Sequence, residues 1–391
     1  MISVQEALSI IKKHQYTAEA IQKPLIKCLG YTIANDIFSP ISMPPFRQSA
    51  MDGYAVYLHD ENKYDLIGEV KAGDAANYIL NPGQAVRIFT GAEVPDSANA
   101  VIMQEKVERN ETSITLIEQT IKVEQNIRPK AEQIHQGNLA LSKDTVLTPS
   151  SISYLSSLGI NSVNVYPKPK VAIVVTGSEL IPPGQEYQQG KIYESNSIML
   201  STTLQQENIE EYSIHRVKDD YDSTEKLLKQ VIDTNDFVLV SGGISVGDYD
   251  FVGKALRTIN TKELFYKIKQ KPGKPLFFGK NNSTYIFALP GNPASALTCF
   301  YMYALPMIRT FSKHSKPHLE WTLKKLSHDY IVKGIRAQFL KANHTNDQVE
   351  ILGLQSSAMV HGFNNANSLV FIPENSSKFN KNTKIEVILL P

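Results

Sequence analysis

Cysteine is scarce: Cys28 and Cys299 are the only two in 391 residues. A pair cannot build a disulfide framework or a structural zinc site, and it fits a reducing compartment. An excess of charge is missing too. Lys and Arg number 40 against 39 Asp and Glu, a net charge of +1, so no overall field draws the chain to nucleic acid or membrane. Long hydrophobic runs are also absent. The longest, Ala294 to Ile308, is shorter than the about 20 residues of a membrane span and contains a proline, so it reads as a buried helix. The first residues, MISVQEALSIIKKH, lack the basic, apolar and small-residue succession of a secretory signal. These absences predict a cytoplasmic protein with no membrane or nucleic-acid partner. There are no repeats and no low-complexity tract.

What is present fits a folded protein, with 42% hydrophobic residues, too long for one ordinary core. Ser3 and Glu6 form a capping box for a helix from Val4 to about Lys13. A second helix is predicted from about Ala18 to Leu29, stopped by Gly30. From Asp36 to about Gln133 the pattern turns to short strands, among them Gly53–Leu58, Ala85–Phe89 and Ala100–Met103, with a hairpin at Val107–Glu124. Thr148-Pro149-Ser150 opens another helix, which Gly159 ends. From Lys170 to about Phe311, apolar strands alternate with helices, predicting a doubly wound α/β domain that binds ligands at the carboxyl ends of its strands. Val171–Val175 is apolar throughout, as in a parallel sheet covered on both faces. The last stretch, about Lys316 to Pro391, predicts a small β domain.

Polar turns follow the α/β strands. They are Thr176-Gly177-Ser178-Glu179, Lys218-Asp219-Asp220, Ser241-Gly242-Gly243, Lys271-Pro272-Gly273-Lys274-Pro275 and Pro290-Gly291-Asn292-Pro293. The Ser-Gly-Gly turn can fold tightly and offer N–H groups to an anion, and Asp248 and Asp250 follow it. Glu179, Asp219 and Asp250 are hard oxygen donors suited to Mg²⁺ beside phosphate. Each alone also fits helix capping. Lys267, Lys271 and Lys274 suit an oxyanion, or a solvated lysine run. Asn292 and Pro293 read as the cap and first residue of a helix whose free N–H groups face the crevice. Ser49–Tyr54 and Thr90-Gly91-Ala92 are, on local grounds, plain turns.

As a set these segments resemble the MoeA family, which includes the E domain of gephyrin. SAMDGYAV (Ser49 to Val56), RIFTGAEVP (Arg87 to Pro95), AVIMQE (Ala100 to Glu105), NIR (Asn126 to Arg128) and VVTGSEL (Val174 to Leu180) match in order. So do KDD (Lys218 to Asp220), SGGISVGDYDF (Ser241 to Phe251), KPGKP (Lys271 to Pro275) and LPGNPAS (Leu289 to Ser295). The resemblance implies a multidomain α/β plus β subunit: a helical part (1–40 and 136–166), an inserted β domain (41–135), a MogA-like α/β domain (167–312) and a β-barrel-like domain (313–391). It also implies a molybdopterin molybdenumtransferase that inserts molybdate into adenylylated molybdopterin and releases AMP, working as a homodimer with Mg²⁺. In that reading Glu179, Asp219 and Asp250 hold the metal. Thr176, Gly177 and the loop of Ser241, Gly242 and Gly243 bind substrate phosphate, along with Pro290, Gly291, Asn292 and Pro293. Lys267, Lys271 and Lys274 hold oxyanion oxygens. Asp52, Thr90 and Arg128 reach the cleft from the second subunit, with Asp52 orienting the dithiolene end. Arg336 and Ser356-Ser357-Ala358 are further candidates. The adenylyltransferase that makes the substrate and recipient molybdoenzymes would be partners.

The sequence departs from the family after NIR, where a usual Gly-Glu-Asp is Ala131-Glu132-Gln133 and Pro129 follows Arg128. Two alternatives stand beside the transferase. One is the adenylyltransferase, which usually lacks the modules carrying SAMDGY. The other is a non-catalytic, gephyrin-like scaffold.

Overall fold

The computed structural model describes residues 1–117, 120–244 and 251–391. The chain forms two compact units, one of residues 22–29 and 33–164, the other of residues 1–21, 30–32 and 165–391.

The first unit is built on a six-stranded sheet in the order Ala100–Met103, Gly53–Val56, Gln84–Ile88, Lys63–Val70, Ser113–Leu116, Val107–Arg109. Its central strand Gly53–Val56 is buried on both faces. Ala55 packs with Val86, Ile88 and Val101 on one face, and Tyr54 with Tyr64, Ala85 and Ile102 on the other. Helix Pro149–Ser157 is capped by the Thr148 side chain, and Gly159 beyond it has φ +80°. The helix expected over Ala18–Leu29 does not form. Ile21–Pro24 is a strand pairing with Ser162–Val165, and only Leu25–Lys27 makes a 3₁₀ turn. Pro24 explains the difference: it has no N–H to give a helix, and its ring clashes with the preceding turn.

The second unit contains a six-stranded sheet in the order Tyr212–Val217, Val171–Thr176, Phe237–Ser241, Thr284–Leu289, Phe277–Asn281, Lys262–Tyr266. The first four strands are parallel; Phe277–Asn281 runs antiparallel to both its neighbours, so Lys262–Tyr266 points the same way as the first four. Phe277–Asn281 and Thr284–Leu289 are joined by a tight turn, with Asn281 paired to Thr284. A parallel connection needs a dozen residues or more, so this segment had to return antiparallel. One face of the sheet is covered by helices Val4–His14 and Asn196–Gln206 and by the helical run from Pro293 to Phe311. The other is covered by Tyr221–Ile232 and Phe251–Thr258. Ser3 and Glu6 make the expected capping box. The run read as one buried helix is interrupted by a π-helical turn at Phe300–Ala304.

After it, Trp321–Leu326, Ala337–His344, Gln348–Ile351, Ser368–Ile372 and Lys384–Leu389 close into a five-stranded barrel around Leu340, Ala342, Val349, Val370 and Val387. A short strand from the α/β part, Gln270–Lys271, adds in parallel to Ala337–Gln338 of this barrel. Among the described residues no helix is long and apolar enough to cross a membrane.

Candidate active site

The turns predicted at the strand ends gather on one cleft of about 1170 Å³ within the second unit. Thr176, Gly177 and Glu179 line it from one parallel strand, and Ser241, Gly242 and Gly243 from the next. Asp219 lines it after the outer strand, and Pro290, Gly291, Asn292 and Pro293 after the fourth. The two glycines of the Ser-Gly-Gly turn have no room for a side chain. Gly242 has φ +93°, and a Cβ there would stand 2.6 Å from the Thr176 carbonyl oxygen. The turn therefore packs its backbone directly on the neighbouring strand end.

Two buried polar atoms in this cleft have no hydrogen-bond partner among the described residues: Thr176 Oγ1 and Asn196 Oδ1. Orphaned buried polar atoms are costly unless a ligand or water satisfies them. Asn196 was not foreseen. Its Nδ2 donates to Ser241 Oγ and to the Gly291 carbonyl, both at 2.8 Å, tying the two glycine turns together. Beside it, Glu194 is 1% exposed and accepts from the Ser197 N–H at 2.7 Å, so its carboxylate is used in starting the helix.

The capping alternative for the acids is decided residue by residue. Asp220, not Asp219, caps helix Tyr221–Ile232 by accepting from the Ser223 N–H at 2.9 Å. Asp219 accepts from the Ser178 N–H at 3.0 Å and lines the cleft. Glu179 precedes a short strand, not a helix, and caps no helix among the described residues. Asp250 and Asp248 lie outside the described residues. Among the described residues no group of three or more acids, histidines or cysteines forms a metal cluster. Glu179 and Asp219 on one cleft still fit Mg²⁺, which commonly takes one or two protein carboxylates and completes its shell with substrate oxygens.

Positive charge comes from Lys271 and Lys274, both lining the cleft and both without an ion-pair partner among the described residues. Lys267 does not line it; its ammonium lies 4.4 Å from the centre of the Tyr266 ring. The barrel contributes Arg336, Gln355, Ser356, Ser357 and Ala358. The helix start at Pro293 is not free as expected. The Ala294 N–H donates to the Ser357 carbonyl at 3.1 Å, and Asn292 makes no side-chain cap but gives its amide to Ser357 Oγ. Those groups are spent in binding the barrel loop, and the loop in turn brings its serines to the cleft.

In the first unit, the plain turns of the β module meet. Asp52 Oδ1 accepts from the Thr90 N–H at 2.8 Å and the Thr90 hydroxyl at 2.7 Å. Ile127–Arg128 pairs with Gln48–Ser49, and the Ala50 N–H donates to the Asn126 carbonyl, so NIR and SAMDG adjoin. Arg87, also unforeseen, donates to the Gly53 carbonyl and lies over the rings of Tyr54 and Phe89. Asp52, Thr90 and Arg128 are all exposed. Ala131 holds φ +64°, a left-handed conformation that favours glycine. Glu132 and Gln133 are exposed.

The Thr90 hydrogen bonds hold the Asp52 carboxyl below its ordinary 3.8. A lowered folded-state value means the contact stabilises the loop above pH 3.8 and is lost as pH falls through the lowered value. An NMR titration should therefore show the Thr90 amide shift moving only in this acid range. Asp52→Asn should abolish the transition.

Comparison with known proteins agrees with this geometry. Residues 2–159 match the MoeA N-terminal region (domain I and II), 172–310 a probable molybdopterin binding domain, and 325–390 the MoeA C-terminal region (domain IV). A Staphylococcus epidermidis protein named molybdopterin molybdenumtransferase is 30% identical over 404 aligned residues, covering 99% of this chain and 95% of the relative. A Staphylococcus aureus protein of the same name is 29% identical, with the same coverage. The crystal structure of the molybdopterin biosynthesis MoeA protein from Pyrococcus horikoshii superposes with a TM-score of 0.80 at 30% identity, over 100% of this chain and 99% of that one. With all three regions in order and nearly the whole length covered, the chain belongs to the MoeA family.

Proposed function

We propose that the protein is a molybdopterin molybdenumtransferase that inserts molybdate into adenylylated molybdopterin with release of AMP. One observation carries this reading. A single cleft combines two lysines and an arginine with the carboxylates of Glu179 and Asp219 and a glycine turn. A tetrahedral oxyanion and a pyrophosphate-bearing ligand both need such donors, and neither calls for a strong protein nucleophile.

Lys271, Lys274 and Arg336 bind molybdate and phosphate oxygens. Thr176 Oγ1 donates to a substrate oxygen, and Asn196 Oδ1 accepts from a substrate N–H or O–H. Glu179 and Asp219 are the described residues that would hold Mg²⁺, which when bound offsets pyrophosphate charge. Cleavage of the phosphoanhydride leaves charge on both fragments, and the fixed lysines meet it without reorganising. A second copy of the chain supplies Asp52, Thr90 and Arg128, whose exposure and ionised carboxylate support that role.

The test is AMP release from adenylylated molybdopterin, with and without molybdate and Mg²⁺. Release is expected only with both present and with no need for ATP. ATP-dependent adenylylation, or no release at all, would overturn the reading.

A further inference from the structure

The loop that carries both lysines is wrapped around a buried amide. Gln270 is fully buried. Its Nε2 donates to the Pro272 carbonyl at 3.0 Å and the Gly273 carbonyl at 3.3 Å, and lies 3.5 Å from Cys299 Sγ. Its Oε1 accepts from the Tyr303 hydroxyl at 2.5 Å. Tyr303 is itself fully buried and lies in the π-helical turn, a distortion that often marks functional positions. Burial raises both the Tyr303 hydroxyl and the Cys299 thiol well above their ordinary values, so both remain protonated and the hydroxyl remains a donor. The same residue acts outward through its backbone: Arg336 Nη1 donates to the Gln270 carbonyl at 3.2 Å. The loop closes through the Ile268 N–H, which donates to the Lys274 carbonyl at 3.0 Å.

A buried glutamine set against Cys299 and Tyr303 is expensive unless every polar atom is used. Here each is used, and its donors satisfy loop carbonyls that point inward. An apolar residue of equal volume would fill the space but withdraw the amide from both carbonyls, leaving Gly273 only the weaker Cys299 thiol donor. We infer that Gln270 and Tyr303 are positioning residues for the oxyanion: their hydrogen bond fixes the loop of Lys271 and Lys274, and the Gln270 carbonyl places Arg336 beside it. This rests on the reading of the cleft as a molybdate site.

The experiment uses the full chain as Gln270→Leu, Tyr303→Phe and the double variant. Molybdate binding is measured by calorimetry, kcat and KM by AMP release, and the Ile268 amide by hydrogen exchange. Gln270→Leu is expected to weaken molybdate binding about tenfold or more and to lower kcat by a smaller factor, because the lysines that bind the oxyanion also meet the charge of cleavage. Tyr303→Phe removes one oxygen atom and should fall between wild type and Gln270→Leu even if the latter folds poorly. The double variant should bind no worse than Gln270→Leu, since both changes break one bond. Exchange at Ile268 should quicken in each variant. Wild-type molybdate affinity in both single variants would overturn the inference, as would a parallel fall of kcat, affinity and melting temperature. If the unmodified chain binds no molybdate, the functional reading fails. In that case unchanged Ile268 exchange in the variants overturns the positioning claim, and faster exchange supports it.

Discussion

Asp219→Asn is expected to cut molybdate-dependent AMP release by about 10²- to 10³-fold, the range seen when one group aimed at transition-state charge is lost. The melting temperature should hardly move. Asparagine keeps an oxygen to accept from the Ser178 N–H, so the turn after the first parallel strand stays in place. Helix Tyr221–Ile232 keeps its start, because its cap is Asp220. Only charge is removed. Asp219→Ala would remove the acceptor as well and should cost stability in addition. The two variants together separate an electrostatic role from a structural one. Near wild-type turnover by Asp219→Asn would end the metal assignment. Mixing Asp219→Asn chains with Asp52→Asn chains adds a second reading. If two subunits share each site, random dimers recover about a quarter of wild-type activity, because half are mixed and each mixed dimer has one intact site. No recovery would argue for sites built within one chain.

Gly53→Ala is expected to destabilise the β module by about 3 kcal/mol or more, the upper end of the cost of overpacking. The strand Gly53–Val56 is central, paired on both sides by Gln84–Ile88 and Ala100–Met103. A Cβ at residue 53 would stand 1.9 Å from the Ile102 carbonyl oxygen and 2.8 Å from its carbon. Both are backbone atoms of a buried strand, so no side chain can turn aside. The strand itself must shift, and Asp52 shifts with it. The Asp52–Thr90 hydrogen bonds and the Arg87 contact to the Gly53 carbonyl would loosen together. Urea unfolding followed on the β module would show the loss as a lowered midpoint. A variant as stable as its parent would contradict the close approach.

Much of the site was readable because it is written as turns. A glycine-rich break after an apolar strand leaves a clear mark, and Ser241–Gly243 and Pro290–Pro293 lie where that mark predicts. The capping box at Ser3 was legible for the same reason: it is purely local. Other features depend on distant partners. Pro24 argues against a helix, but only the pairing with Ser162–Val165 tells where the segment goes. Asp219 and Asp220 are neighbours with opposite duties, and only hydrogen bonds tell them apart. The helix start at Pro293 looked open because the barrel loop that closes it lies more than sixty residues later in the sequence. Gln270 gave no signal, since a glutamine beside lysines reads as surface until its burial is known.

The short strand Gln270–Lys271 has a bearing on modularity. It hydrogen-bonds into the barrel, with the Ala337 N–H donating to the Lys269 carbonyl, so the seam between the α/β part and the barrel runs through the lysine loop. A chain cut after Phe311 would retain every residue of that loop yet lose the rail on which it is laid. Exchanging barrels between relatives would then retune oxyanion affinity even if no ligand-facing side chain were altered.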